Sequence, residues 1–156
     1  MPNLAATLWK GPTMAVVIVV QNDTAPSDDE WGTYIQIMED NMHLPNSHGL
    51  AITDGGGPTA TQRARVSKLL AAVRGRKVFS AVVSGSLMIR GLVGALRLFH
   101  RETEAFPPSQ IQDAMRFIGL PESQWGSVWT AVMETNAKIA PQSTVVEQAS
   151  KFVSAR

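Results

Sequence analysis

Apolar residues along this chain fall into short unbroken runs, separated by segments in which they recur every three or four positions. The first strong run is Ala15-Val16-Val17-Ile18-Val19-Val20. A continuous, mostly β-branched run of that length predicts a strand buried on both faces. Ala6-Thr7-Leu8-Trp9 precedes it, with Lys10-Gly11-Pro12-Thr13 between. That spacing predicts an N-terminal hairpin. Leu50-Ala51-Ile52-Thr53 and Val78-Phe79-Ser80-Ala81-Val82-Val83 are further strand-like runs, and a short strand fits around Glu104-Ala105-Phe106.

Helical spacing fills the intervals. Ser27 suits an N-cap, and Glu30 three residues later completes a capping box, with Asp28 and Asp29 at the positive end of the helix dipole. Trp31, Tyr34, Ile35, Met38 and Met42 then form one buried stripe, and Pro45-Asn46-Ser47-His48-Gly49 ends the helix. A second helix follows Asp54-Gly55-Gly56-Gly57, with Pro58 suited to its first turn and Val66, Leu69, Leu70 and Val73 on its apolar face. Arg63, Arg65, Lys68, Arg74 and Arg76 mostly lie off that face.

A third helix follows Ser84-Gly85-Ser86 and carries Ile89, Leu92, Val93, Leu96 and Phe99. Pro107-Pro108-Ser109 opens a fourth, with Ile111, Met115 and Ile118, and Gly119-Leu120-Pro121 stops it. The last clear helix holds Trp125, Val128, Trp129, Val132 and Met133. Residues 1–140 read as one domain, and 141–156 as a C-terminal tail or a loosely docked helix. Trp31, Ile35, Leu69, Val82 and Leu96 are expected in the core. Strands alternating with helices predict an α/β fold with a small mixed sheet, the N-terminal hairpin joined to parallel strands, and helices packed against it.

Composition narrows the chemistry. The 156 residues fit one domain. The absence of cysteine excludes disulfides, thiolate metal sites and cysteine nucleophiles, and suits a reducing compartment. Fourteen basic residues against thirteen acidic ones give no general pull toward nucleic acid or an anionic membrane. Met14–Val20 is far shorter than the roughly 20 residues a membrane helix needs, and the N-terminus lacks the pattern of a signal peptide. The expectation is a cytoplasmic protein with no nucleic-acid or membrane partner.

The stretch Ile52-Thr53-Asp54-Gly55-Gly56-Gly57-Pro58-Thr59-Ala60-Thr61-Gln62-Arg63 resembles the strand–turn–helix junction of small bacterial STAS-like domains, relatives of the anti-sigma-factor antagonists. The Ser84–Phe99 junction and the Phe106–Pro107 step are similar to that group as well, and the element order agrees over about residues 5 to 138. The resemblance implies a STAS-like fold and a regulatory, signalling role exerted by protein–protein contact. In the antagonists, a Ser or Thr at the start of the helix after the third strand is phosphorylated by a partner kinase, which switches binding. The matching stretch here offers Thr59 and Thr61. It departs from the family's Ser-Ser or Ser-Thr pair, since Gly55-Gly56-Gly57-Pro58 stands in that place.

Asp54, Gly55, Gly56, Gly57, Thr59, Thr61 and Arg63 are therefore the candidate partner or switch surface. The alternative is an anion or small-ligand site on the Gly55–Gly57 turn, because glycines let backbone N–H groups approach a phosphate beside a helix N-terminus. Gly55 to Ala60 satisfies a G-x-G-x-x-A pattern, but Pro58 removes a donor and no Walker lysine follows. His43, His48 and His100 are scattered, with no carboxylate cluster at ligand spacing, so no metal is expected. His43 and His48 approach Asp54 only if their loop folds over the sheet edge.

Ser84 or Ser86, His100 and Asp54 make a triad on paper, without a nucleophile elbow. Arg90 and Arg97, seven apart on one helix face, suit a salt bridge within the domain or a partner carboxylate. Trp125 and Trp129 suit core or interface. With no convergent acid, base and nucleophile, the expectation is a non-enzymatic module without a cofactor, whose partner is another protein. Self-association into a homo-oligomer stays open.

Overall fold

The computed structural model describes residues 1–72, 77–97 and 102–154. A five-stranded sheet runs in the order β1 (Leu4–Lys10), β2 (Ala15–Gln21), β3 (Ser47–Thr53), β4 (Ser80–Val83), β5 (Thr103–Phe106). β1 pairs antiparallel with β2, and every other pair is parallel. The mixed α/β sheet expected from the alternating pattern is thus the one observed.

The period of two along β2 sends its side chains to two cores. Val16, Ile18 and Val20 join Leu50, Ile52, Ala81 and Val83 under α4 (Ile111–Phe117), α5 (Trp125–Asn136) and α6 (Thr144–Val153). Val17 and Val19 join Leu4 of β1, Trp31, Ile35 and Met38 of α1 (Asp28–Asn41) and Met42 just after it, with α2 (Ala60–Ala72) laid on the same face. A strand covered on both sides must be apolar at every position, which is why β2 reads as an unbroken run.

At the start of α1, the Ser27 hydroxyl accepts the Glu30 N–H at 3.1 Å, as a cap should. The reciprocal half of the expected box is replaced. The Glu30 carboxylate accepts instead from the Asn3 and Leu4 N–H groups, both at 3.0 Å, and so ties α1 to the first residues of β1. Tyr34 is half-buried on the otherwise buried stripe.

Several expected boundaries move. Ser47, His48 and Gly49 begin β3 rather than ending α1. Val78 and Phe79 precede β4 rather than belonging to it. Val82 and Leu69 are half-buried, not core. Met133 is exposed although it lies on the α5 stripe, whereas Trp125, Val128, Trp129 and Val132 are buried. Trp125 and Trp129 are core, their indole N–H groups donating to the Leu120 carbonyl at 3.0 Å and to Ser150 Oγ at 2.9 Å.

Residues 144–153, at the end expected to be a tail or loosely docked helix, form α6, which buries Val145, Val146, Ala149 and Val153 in the first core. The third helix is α3 (Leu87–Leu96). The positions expected for Val73, Arg74, Arg76, Phe99 and His100, and the Leu96 side chain, lie outside the described residues. Among the described residues, no helix is long and apolar enough to cross a membrane.

Candidate functional site

The end of β3 leads into the turn predicted from its glycines. Gly55 and Gly57 hold φ of 114° and 51°, values that L side chains rarely adopt. Gly56 serves close approach, since a Cβ there would stand 2.5 Å from the Thr24 carbonyl oxygen and 2.7 Å from that of Asn22. Two N–H groups of this turn are bonded within the domain. Gly55 N donates to Thr53 Oγ1 at 3.1 Å, and Gly56 N to the Asn22 carbonyl at 3.2 Å. Two donors that an anion would need are therefore already paired.

Pro58 precedes the helix rather than occupying its first turn, and Thr59 is the residue that caps α2. Thr59 Oγ1 accepts from Gln62 N at 3.2 Å, and Gln62 Oε1 accepts from Thr59 N at 3.0 Å, a complete capping box. The buried Gln62 amide also donates to the Pro26 carbonyl at 3.2 Å and to Asp28 Oδ1 at 3.0 Å. One glutamine thus latches the start of α2 to the start of α1, and the Trp31 indole adds a bond to the Gln62 carbonyl at 2.9 Å. The Thr59-x-x-Gln62 spacing carried this signal in the sequence. Thr61 is exposed, and so is Arg63, whose guanidinium donates to the Pro58 carbonyl at 2.9 Å.

Asp54 faces away from that surface. Its Oδ1 accepts from Ser143 Oγ at 2.6 Å and Val145 N at 3.1 Å, and its Oδ2 from Thr144 N at 3.0 Å. It is an anchor at the positive end of α6. Thus, of the expected surface, Gly57, Thr59, Thr61 and Arg63 remain together at the start of α2, while Asp54 and Gly56 serve the fold.

Ser84, Ser86, His48 and Arg97 make bonds within the domain. Ser84 Oγ accepts from Ser86 N at 3.1 Å, and Ser86 Oγ caps α3 by accepting from Ile89 N at 3.3 Å. His48 lies between Asn46 Oδ1, 2.8 Å from Nε2, and the Phe79 N–H, which donates to Nδ1 at 3.0 Å. Those partners place the proton on Nε2, and burial lowers the imidazole pKa. His43 is exposed. Among the described residues no three His, Asp or Glu side chains gather as a metal site would require. Arg97 pairs with Glu104 at 3.4 Å inside the domain.

A feature that sequence reasoning missed lies under α2. Along β3 the residues facing the α1–α2 side are Gly49, Ala51 and Thr53, while Leu50 and Ile52 face the first core. Ser80 and Val82 of β4 share that small-residue side. With little bulk on the floor and α2 seated shallowly, a cavity of about 410 Å³ opens between the sheet, α1, α2 and α3. Tyr34, Val66, Leu70, Ile89, Leu92 and Val93 contribute its apolar walls. Burial there pushes the Tyr34 phenol up to about 12, so it stays neutral. The alternation of small and large residues in Ser47–Thr53 was the available signal.

The same face is distinctive outside the cavity. Leu87 and Met88 on the first turn of α3 are 78% and 76% exposed. Between Asp54 and Glu102 the chain carries nine of its fourteen basic residues and none of its thirteen acidic ones. The near-zero net charge conceals this separation. Arg63, Arg65 and Lys68 are all exposed on α2.

No protein-family model matches the sequence, and no curated protein matches it. The fold does match a solved structure, an uncharacterized protein of the DUF3478 family from Shewanella loihica, described as having a SpoIIAA-like fold. The TM-score is 0.52 at 12% identity, over 76% of this chain and 95% of that one. Parallel strands behind an N-terminal hairpin, the glycine turn running into a capped α2, and this likeness agree: the chain has a SpoIIAA-like, STAS-like fold.

Proposed function

We propose that this chain is a non-enzymatic regulatory module that acts by binding another protein through the face built from the start of α2 and from α3. The observation that carries the reading is the exposure both of Leu87 and Met88 on α3 and of the basic residues of α2. Large apolar side chains beside a polar rim are the usual make-up of a contact surface. The absence of acidic residues between Asp54 and Glu102 favours a partner with an acidic surface. The SpoIIAA-like fold supports a regulatory or interaction role in general terms.

If the contact is switched by phosphorylation, Thr61 is the better acceptor, because Thr59 Oγ1 already caps α2. A phosphate there would add about −1.5 to −2 charge and oppose an acidic partner. The test uses tagged wild type, Met88→Asp and Lys10→Glu as a control on β1, each checked by circular dichroism. A protein captured by wild type and by the control but lost with Met88→Asp supports the reading. Capture indifferent to Met88→Asp overturns it.

A further inference from the structure

β1 is an open edge of the sheet, running from Leu4 to Lys10 with no proline, no bulge and no charge before Lys10. Such an edge is a template for another strand unless something blunts it. The ladder with β2 tells which groups face outward. Asn22 N–H donates to the Asn3 carbonyl at 3.0 Å, and Gly11 N–H to the Met14 carbonyl at 2.8 Å. By the alternation of an antiparallel pair, Ala5, Thr7 and Trp9 also aim their main-chain groups at β2, and Leu4, Ala6, Leu8 and Lys10 aim theirs at the open side. Leu4 N–H is closed by the Glu30 carboxylate at 3.0 Å. The outward groups of Ala6 and Leu8 have no partner among the described residues.

We propose that β1 pairs antiparallel with β1 of a second copy of this chain, joining the two sheets about a two-fold axis at Thr7. This register overlaps the whole strand and sets Ala6 opposite Leu8, Ala5 opposite Trp9 and Leu4 opposite Lys10. Each bulky side chain on the strand then meets a smaller one, except at the ends. Ala6 N–H reaches the Leu8 carbonyl of the other copy, Leu8 N–H the Ala6 carbonyl, and Lys10 N–H the Leu4 carbonyl. None of these bonds needs the Leu4 N–H that Glu30 holds. The charges favour the same partner. Leu4, Ala6 and Leu8 pack on the α1 side of the sheet, so by alternation Lys10, which is exposed, emerges on that side too. Opposite Leu4 of the second copy, its ammonium approaches that copy's Glu30, and the two-fold makes this contact twice. The pairing does not depend on the α2–α3 contact face, which Lys10→Glu leaves intact.

The test is sedimentation of the full chain over a dilution series, with amide exchange and cross-linking to locate the contact. Wild type should pass reversibly from twice the mass of one chain to a single chain on dilution. Ala6 and Leu8 amides should be protected in the dimer and exchange freely in the monomer, whereas Leu4 stays protected in both. Lys10→Glu sets like charges opposite and should weaken the pair about tenfold. The chain has no cysteine of its own, so Thr7→Cys gives a clean cross-link. Facing residues of a non-hydrogen-bonded pair stand about 4.5 Å apart at Cα, within reach of a disulfide. Oxidation should couple Thr7→Cys into a covalent dimer and leave Thr130→Cys, on exposed α5 surface, uncoupled. A single-chain mass at every concentration overturns the proposal. So does a dimer in which Ala6 and Leu8 exchange freely and Lys10→Glu changes nothing. A monomer whose Ala6 and Leu8 amides become protected only with a different protein bound replaces the second copy by a foreign strand.

Discussion

Asp54 and Ser143 stand 89 residues apart in sequence and 2.6 Å apart in the fold, Ser143 Oγ donating to Asp54 Oδ1. Asp54 begins the turn after β3, and Ser143 caps α6 by accepting from Val146 N at 3.2 Å. The carboxylate also collects the Thr144 and Val145 N–H groups. A residue beside the candidate surface is thus committed to holding the C-terminal helix on the sheet.

Removing that carboxylate should loosen α6. Asp54→Ala is expected to cost about 1–3 kcal/mol, the range for losing charge-assisted bonds to a helix N-terminus. Amide exchange should rise first in 144–153. Urea unfolding with an unchanged midpoint would contradict the anchor role.

Thr59 and Thr61 should separate cleanly. Thr59→Ala loses a cap and should cost about 1 kcal/mol, whereas Thr59→Asp, itself a good cap, should retain most of it. Thr61→Ala should stay within about 0.5 kcal/mol of wild type, as exposed positions do. The reverse order in thermal melts would place the cap at the wrong threonine.

Glycines should divide by their surroundings. Gly56→Ala drives a Cβ into the Thr24 and Asn22 carbonyls and should destabilise by more than about 1 kcal/mol. Gly91 lies inside α3 with nothing within 4 Å of its would-be Cβ. Gly91→Ala should stabilise by about 0.5–1 kcal/mol through helix propensity and reduced unfolded-state entropy. Equal effects at the two sites would refute the close approach.

Acid should weaken the fold through His48. Burial lowers its pKa below the ordinary value of 6.5. The unfolded chain therefore binds a proton that the folded chain resists, and stability rises with pH in that window. This contribution is intact above pH 6.5, falls as the solution is acidified through that value, and levels off below the folded pKa. Protonation would also set Nδ1 against the Phe79 N–H that donates to it. His48→Gln should flatten the slope below about pH 7 relative to wild type. An unchanged slope would remove His48 as the cause.

Core substitutions should follow depth rather than helical phase. Ile52→Ala, fully buried in the first core, should cost about 2–5 kcal/mol. Leu69→Ala, half-buried against the second core, should cost about half as much or less. Chemical denaturation giving the larger loss at Leu69 would mean that α2 is seated more deeply than described.

By itself the sequence determined most of the elements, their order and the parallel sheet, because each strand and each helix stripe records locally which faces are buried. Val16 to Val20 had to be buried on both faces, being apolar at every position, and Ser27 had to start α1 because its cap lies three residues from its target. The same local logic identified the glycine turn and a hydroxyl-bearing helix start at Thr59 and Thr61. The tertiary structure decided what these residues are free to do. Glu30 turned from its own cap to the Leu4 N–H, 26 residues back, and Asp54 turned to α6. The depth of α2, and with it the cavity ending at Gln21, follows from small side chains on β3 and β4 meeting the reach of a helix latched by Gln62. Such outcomes depend on distances between residues far apart in the chain, and a pattern with a period of two or three and a half does not encode them.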